Sequence, residues 1–95
     1  MIHERKSSSL HRSQVDIIAN ILQVAVEGAK KTHIMYGCNL SFRQLQTYLG
    51  FLLDRRLLKT VSETGGDGNP AFFQTTARGQ SFLDVYHNLR GLLTT

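Results

Sequence analysis

The chain has 95 residues, 11 Lys+Arg against 7 Asp+Glu and a net charge of +4, which leaves room for one domain around a single core. It contains no run of about 18 apolar residues and therefore no membrane span. Its single cysteine excludes an intramolecular disulfide, and no Cys/His spacing fits a structural zinc site. The excess of basic residues favours a polyanionic partner only weakly, since many small basic proteins bind no nucleic acid. No apolar segment of a secretory signal precedes Val15, so a reducing cytoplasm is the expected setting.

Residues 1–12 are polar, include three consecutive serines and read as a flexible basic tail. Ser13 is an N-cap for a helix expected from Gln14 to about Glu27, with Val15, Ile18, Ile21, Leu22 and Ala25 on helical spacing. Ile17, Val24 and Val26 lie off that stripe, which predicts burial on more than one side, and Gly28 is a natural stop. Lys31 to Cys38 forms a short second helix with Ile34 and Met35 inward. Asn39 suits the following turn because it tolerates the left-handed conformation.

Ser41 then caps a third helix, and Gln44 three residues on completes a capping box. Leu45, Tyr48, Leu49 and Leu52 form one apolar stripe, while Arg43, Gln44, Gln46 and Thr47 face the other way. Leu57 to Glu63 reads as a strand, Thr64 to Pro70 as a turn and Ala71 to Thr75 as a returning strand. Thr76 can cap a last helix from Ala77 to about Leu93, striped by Phe82, Tyr86, Leu89 and Leu93 and widened by Leu83.

The predicted fold is therefore mainly α (α+β), a winged helix-turn-helix. Three helices precede a β-hairpin wing, and a C-terminal dimerisation helix follows it. Residues 13–76 make the winged unit and 77–95 the dimerisation helix. The segments KTHIMYGCNLSFRQLQTYLGFLLDRRLL, TTARGQSFL and SQVDIIANILQVAVEGAKKT closely resemble the small archaeal winged-helix transcription regulators. These include the ArnR-like kind and the related chromosomal 10a-type DNA-binding proteins. The resemblance covers Arg12 to about Leu93. It implies DNA binding by the helix starting at Ser41 and dimerisation through the last helix, which forms an antiparallel coiled coil in some relatives. This chain departs from the pattern in carrying Arg56 where the family usually has Gly, and in a shorter final helix.

A helix-turn-helix places the N-terminal side chains of its second helix in the major groove. Arg43 suits the two acceptors of guanine and Gln44 the donor–acceptor edge of adenine, against the simpler reading of a solvated helix face. Ser41, Phe42, Gln46 and Thr47 complete the expected DNA-contacting stretch. Tyr48 is expected to pack with Leu45 and Leu49 instead. Lys30, Lys31 and Thr32 open the second helix, where backbone N–H groups and the helix dipole favour a phosphate. Arg78 can add a phosphate contact from the last helix. Arg5, Lys6 and Arg12 can trail into a minor groove or belong to a merely soluble tail. The wing tip carries Glu63 and Asp67 and no base, which opposes close approach to phosphate.

Phe82, Leu83, Tyr86, Leu89 and Leu93 exceed what a three-helix core needs and are the expected homodimer surface. The competing reading folds that helix back over the first helix of its own domain. His3, His11, His33 and His87 are scattered, and Asp54, Glu63 and Asp84 show no paired-acid spacing. No enzymatic activity, cofactor, metal or membrane partner is expected, and Cys38 reads as a small buried residue. The expectation is a cytoplasmic, chromosome-associated homodimer that binds double-stranded DNA as a transcription regulator. A chromosomal architectural protein is the nearest alternative. A winged-helix protein-interaction module, favoured by the acidic wing alone, is the alternative from another class.

Overall fold

The computed structural model describes residues 13–61 and 72–94. The basic tail with Arg5, Lys6 and Arg12, and the wing tip between Glu63 and Asn69, lie outside the described residues. The elements are α1 (Gln14–Val24), α2 (Lys31–Gly37), α3 (Phe42–Asp54), β1 (Leu58–Val61), β2 (Phe72–Thr75) and α4 (Ala77–Thr94). No helix among the described residues is long and apolar enough to cross a membrane.

At the start of α1, the Ser13 hydroxyl accepts from the Asp16 N–H at 3.1 Å, and the Asp16 carboxylate accepts from the Ser13 N–H at 3.3 Å. The helix stops at Val24, short of the expected Glu27. Strand β2 is the cause, because it takes the carbonyls at the helix end. The Thr75 N–H donates to the Ala25 carbonyl (2.9 Å), the Thr75 hydroxyl to that of Leu22 (2.6 Å) and the Gln74 amide to that of Val26 (3.4 Å). These bonds satisfy helix-terminal acceptors that would otherwise need water. Gly28, with φ 99°, redirects the chain, and Ala29 then pairs with Phe73 in both directions, at 2.9 and 2.8 Å. The link between α1 and α2 thus lines the free edge of β2, whose other edge pairs antiparallel with β1 from Leu58↔Thr75 to Val61↔Phe72.

Helix α2 ends at Gly37, with Cys38 as its C-cap residue, and Asn39 adopts φ 56°. The Leu40 N–H reaches back to the Met35 carbonyl (2.9 Å) and that of Asn39 to Tyr36 (3.3 Å), the paired bonds of a Schellman motif. The same device closes α3. Arg56 takes φ 62°, with Leu57 N–H on the Leu52 carbonyl (2.9 Å) and Arg56 N–H on that of Leu53 (3.1 Å). An arginine therefore occupies a left-handed site that favours glycine, at a cost of about 1 kcal/mol.

Helix α4 is fastened to that corner. The Thr76 hydroxyl donates to the Arg56 carbonyl (2.7 Å) and accepts from the Gly79 N–H (3.0 Å). A Cβ at Gly79 would collide with the Leu57 carbonyl and come within 2.6 Å of the Thr75 methyl, so only glycine permits this approach. The core is built from Ile21 and Leu22 of α1, Ile34 of α2, Leu45, Leu49 and Leu52 of α3, Leu58 and Phe73 of the hairpin, and Leu83 of α4. Leu83 is only 1% exposed. It is a core residue of its own domain and not part of a dimer surface, and the first half of α4 is integral to the winged unit.

Tyr86 also turns inward. Its hydroxyl donates to the Asp16 carboxylate, while Arg90 donates to the Tyr86 oxygen (3.1 Å) and lies 3.7 Å from Asp16. Bonds from Tyr86 and then Ser13 hold the Asp16 carboxyl below its ordinary value of 3.8. The carboxylate in turn raises the Tyr86 hydroxyl above its ordinary 10.0.

Replacing Arg56 by glycine should raise stability by about 0.5–1 kcal/mol, read as a thermal midpoint higher by about 3–8 °C. A second consequence concerns pH. The Asp16 contribution is complete above pH 3.8 and is lost as pH falls through the lowered folded value. The Tyr86 contribution is complete below pH 10.0 and is lost as pH rises through the raised one. Tyr86→Phe should therefore lower stability at neutral pH by about 1 kcal/mol, a figure reduced for the pair's solvent exposure. It should also weaken both pH edges in a denaturation series, and unchanged edges would show that the pair does not carry them.

Candidate nucleic-acid interface

The face of α3 opposite Leu45, Leu49 and Leu52 presents Arg43, Gln46 and Thr47 to solvent. Its N-terminal end is set by the capping box foreseen in the sequence. The Ser41 hydroxyl accepts from the Gln44 N–H at 3.1 Å, and the Gln44 side-chain oxygen accepts from the Ser41 N–H at 2.9 Å. That second bond changes the expected role of Gln44. Reading adenine needs the amide oxygen and nitrogen together, and here the oxygen is already engaged in the cap. Thr47 is likewise engaged, its hydroxyl donating to the Arg43 carbonyl at 3.1 Å. Arg43 and Gln46 are left as the extended polar side chains of the outward face. Tyr48 packs half-buried against the core as expected.

Helix α2 brings its own cations to the same end. Lys30 is the N-cap residue and makes no side-chain cap bond, and Lys30, Lys31 and Thr32 are all exposed. The Lys31 ammonium stands 5.9 Å from the centre of the Phe42 ring, so a cation–π contact joins the start of α2 to the start of α3. Phe42 thus positions Lys31 beside the first turn of α3. Gln14, the first helical residue after the basic tail, lines the same open cleft of about 380 Å³ as Arg43, Gln44 and Thr47. The point of attachment of that tail is therefore beside α3.

Arg78 does not join this end. Its Nε donates to the Arg55 carbonyl at 3.0 Å, a cation placed on the C-terminal carbonyls of α3, where the helix dipole favours it. Arg55 itself is stacked 4.6 Å from the Phe51 ring. These groups lie about 20 Å along the helix from Arg43, at 1.5 Å per residue.

The expected dimer surface divides. Leu83 is in the core, Tyr86 is bonded to Asp16 and Phe82 is half-buried, whereas Leu89 and Leu93 are exposed. Val85 and Leu92, outside the expected stripe, are 66% and 80% exposed. Val85, Leu89 and Leu92 fall at i, i+4 and i+7, a second helical stripe beside the one the sequence reading followed. Its signal was present in the same residues.

A winged helix-turn-helix family model matches residues 11–94. The protein MJ0287 of Methanocaldococcus jannaschii is 34% identical over 62 residues, 64% of each chain. MJ0290 of the same organism is 32% identical over 77 residues, 80% of this chain and 33% of that protein. The chain thus spans less than two thirds of the first relative's length and a third of the second's. Among solved structures, Sso10a-2, a DNA-binding protein from Sulfolobus solfataricus, matches with a TM-score of 0.69 at 21% identity, over 86% of this chain and 85% of that one. At that identity the likeness is one of fold. Taken with the hairpin docked behind α3 and the capped helix at its front, these matches place the chain in the winged helix-turn-helix family.

Proposed function

We propose that this chain binds double-stranded DNA through α3 and acts as a homodimeric transcription regulator. The observation that carries the reading is the meeting of two exposed basic ends. Lys30 and Lys31 at the start of α2 stand beside the first turn of α3, joined by the Lys31–Phe42 contact, with Arg43 on the outward face. Lysines at that edge suit phosphate oxygens and set register, while Arg43 and Gln46 suit base edges. Sso10a-2, which has this fold, is named as a DNA-binding protein, and the relatives come from archaea, which supports an archaeal regulator or chromosomal protein. The mode of action needs no catalytic group, and we assign it none. A cytoplasmic, chromosome-associated location follows from the reading.

The homodimer is inferred from the end of α4. Val85, Leu89, Leu92 and Leu93 expose a continuous apolar face that a two-fold partner helix would cover. Such pairing would present two α3 helices to half-sites about one helical turn apart. An architectural role uses the same dimer with weaker base readout, and only the ratio of specific to non-specific affinity separates the two.

Affinity for a generic duplex should fall steeply with salt, with a slope of log K against log salt of about −4 or steeper for the dimer, at about −0.9 per phosphate contacted. Arg43→Ala should lower that affinity, and a wild-type protein that fails to bind at low salt would remove the DNA reading and leave the protein-interaction module. Leu89→Glu combined with Leu92→Glu should yield a folded monomer in sedimentation experiments. A dimer that persists in that variant would rule out pairing through this face.

A further inference from the structure

Helix α3 contains a glycine that nothing among the described residues explains. Gly50 lies in the interior of Phe42–Asp54, is exposed, and has no described atom within 4 Å of where a Cβ would stand. Gly91 is equally open to a Cβ but sits in the last turn of α4, where a helix frays and glycine costs little. Two other described glycines have internal reasons. Gly28 takes φ 99°, and Gly79 lies against the Leu57 carbonyl. Within a helix, glycine is the least favourable residue after proline, because fixing its backbone loses the most conformational freedom. Alanine at this position would stabilise the helix and touch nothing among the described residues. Nothing in the described fold offsets the cost of Gly50, and its place on the helix points to a bound partner.

Its place on the helix says what. Gly50 follows Thr47 by three residues, Gln46 by four and Arg43 by seven, so it continues the outward polar face and lies opposite Leu45, Leu49 and Leu52. Bare backbone on that face permits an approach that a side chain would block. One turn further on, Asp54 brings a negative charge to the same face and sets a limit to contact with a polyanion.

We propose that Gly50 is where the bound duplex comes closest to α3, its absent Cβ admitting a sugar or base edge to the helix backbone. The helix then lies along the major groove from Arg43 through its third turn, and contact ends before Asp54. The proposal rests on the DNA-binding reading above and adds to it the depth and length of the docked segment.

The test uses the full chain with Gly50→Ala and Gly50→Leu, and with Asn20→Ala, an exposed helix-interior change on α1, as control. Thermal midpoint and affinity for a short mixed-sequence duplex are measured for each. Gly50→Ala should raise the midpoint by about 3–8 °C while weakening duplex binding about tenfold, with Gly50→Leu weaker still. Asn20→Ala should bind as wild type does. Wild-type affinity in both Gly50 variants would overturn the proposal while leaving DNA binding intact. A lowered midpoint in Gly50→Ala would also overturn it, because the lost affinity would then reflect a damaged fold. If the wild-type protein binds no duplex, the underlying reading fails first and the proposal fails with it.

Discussion

The rotation of α3 about its own axis is the constraint on which the molecule depends. Burial of Leu45, Leu49 and Leu52 directs one face into the core, and geometry then decides which residues point outward. Both ends of the helix are pinned so that this setting cannot slip. At the front, the left-handed Asn39 delivers the chain to the Ser41–Gln44 capping box. At the back, the left-handed Arg56 turns it into β1, while Thr76 and Arg78 bond the Arg56 and Arg55 carbonyls. Two terminal anchors and a buried stripe make the helix a rigid presenting element rather than a flexible loop.

Some polar side chains around this helix are spent on holding the fold, and others are left facing solvent. Gln44 holds the cap with its oxygen, Thr47 bonds back to the Arg43 carbonyl and Arg78 attends to the helix end. What remains outward is a narrow set of groups beside the lysines of α2. A short surface can therefore be chemically selective although it contains many polar residues, since few of them are uncommitted.

Much of this was legible in the sequence because its causes are local. The Ser13 and Thr76 caps, the Ser41–Gln44 capping box, the left-handed Asn39 and the apolar stripe of α3 each depend on residues within a turn of one another. The misreadings arose where distant segments compete for the same group. Helix α1 ends early because Thr75 takes the Leu22 and Ala25 carbonyls, and no periodicity within α1 announces that. Spacing alone puts the stripe on α4 on one surface, although the fold divides it between its own core at Leu83 and an open face at Leu89 and Leu93. Periodicity identifies that a side is apolar but not what covers it. The pairing of Ala29 with Phe73 left no pattern in either segment.

The seam between α1 and β2 also governs how the molecule comes apart and assembles. Thr75 and Leu22 are 53 residues apart in the chain, so this contact closes a loop through nearly all of the helix-turn-helix. A two-stranded hairpin has little stability alone and must wait for that docking surface. Folding is accordingly slower than for a helical bundle of equal size, because a non-local contact must form before it is rewarded. Opening the hairpin likewise uncovers the last carbonyls of α1, which couples the strands to the first helix.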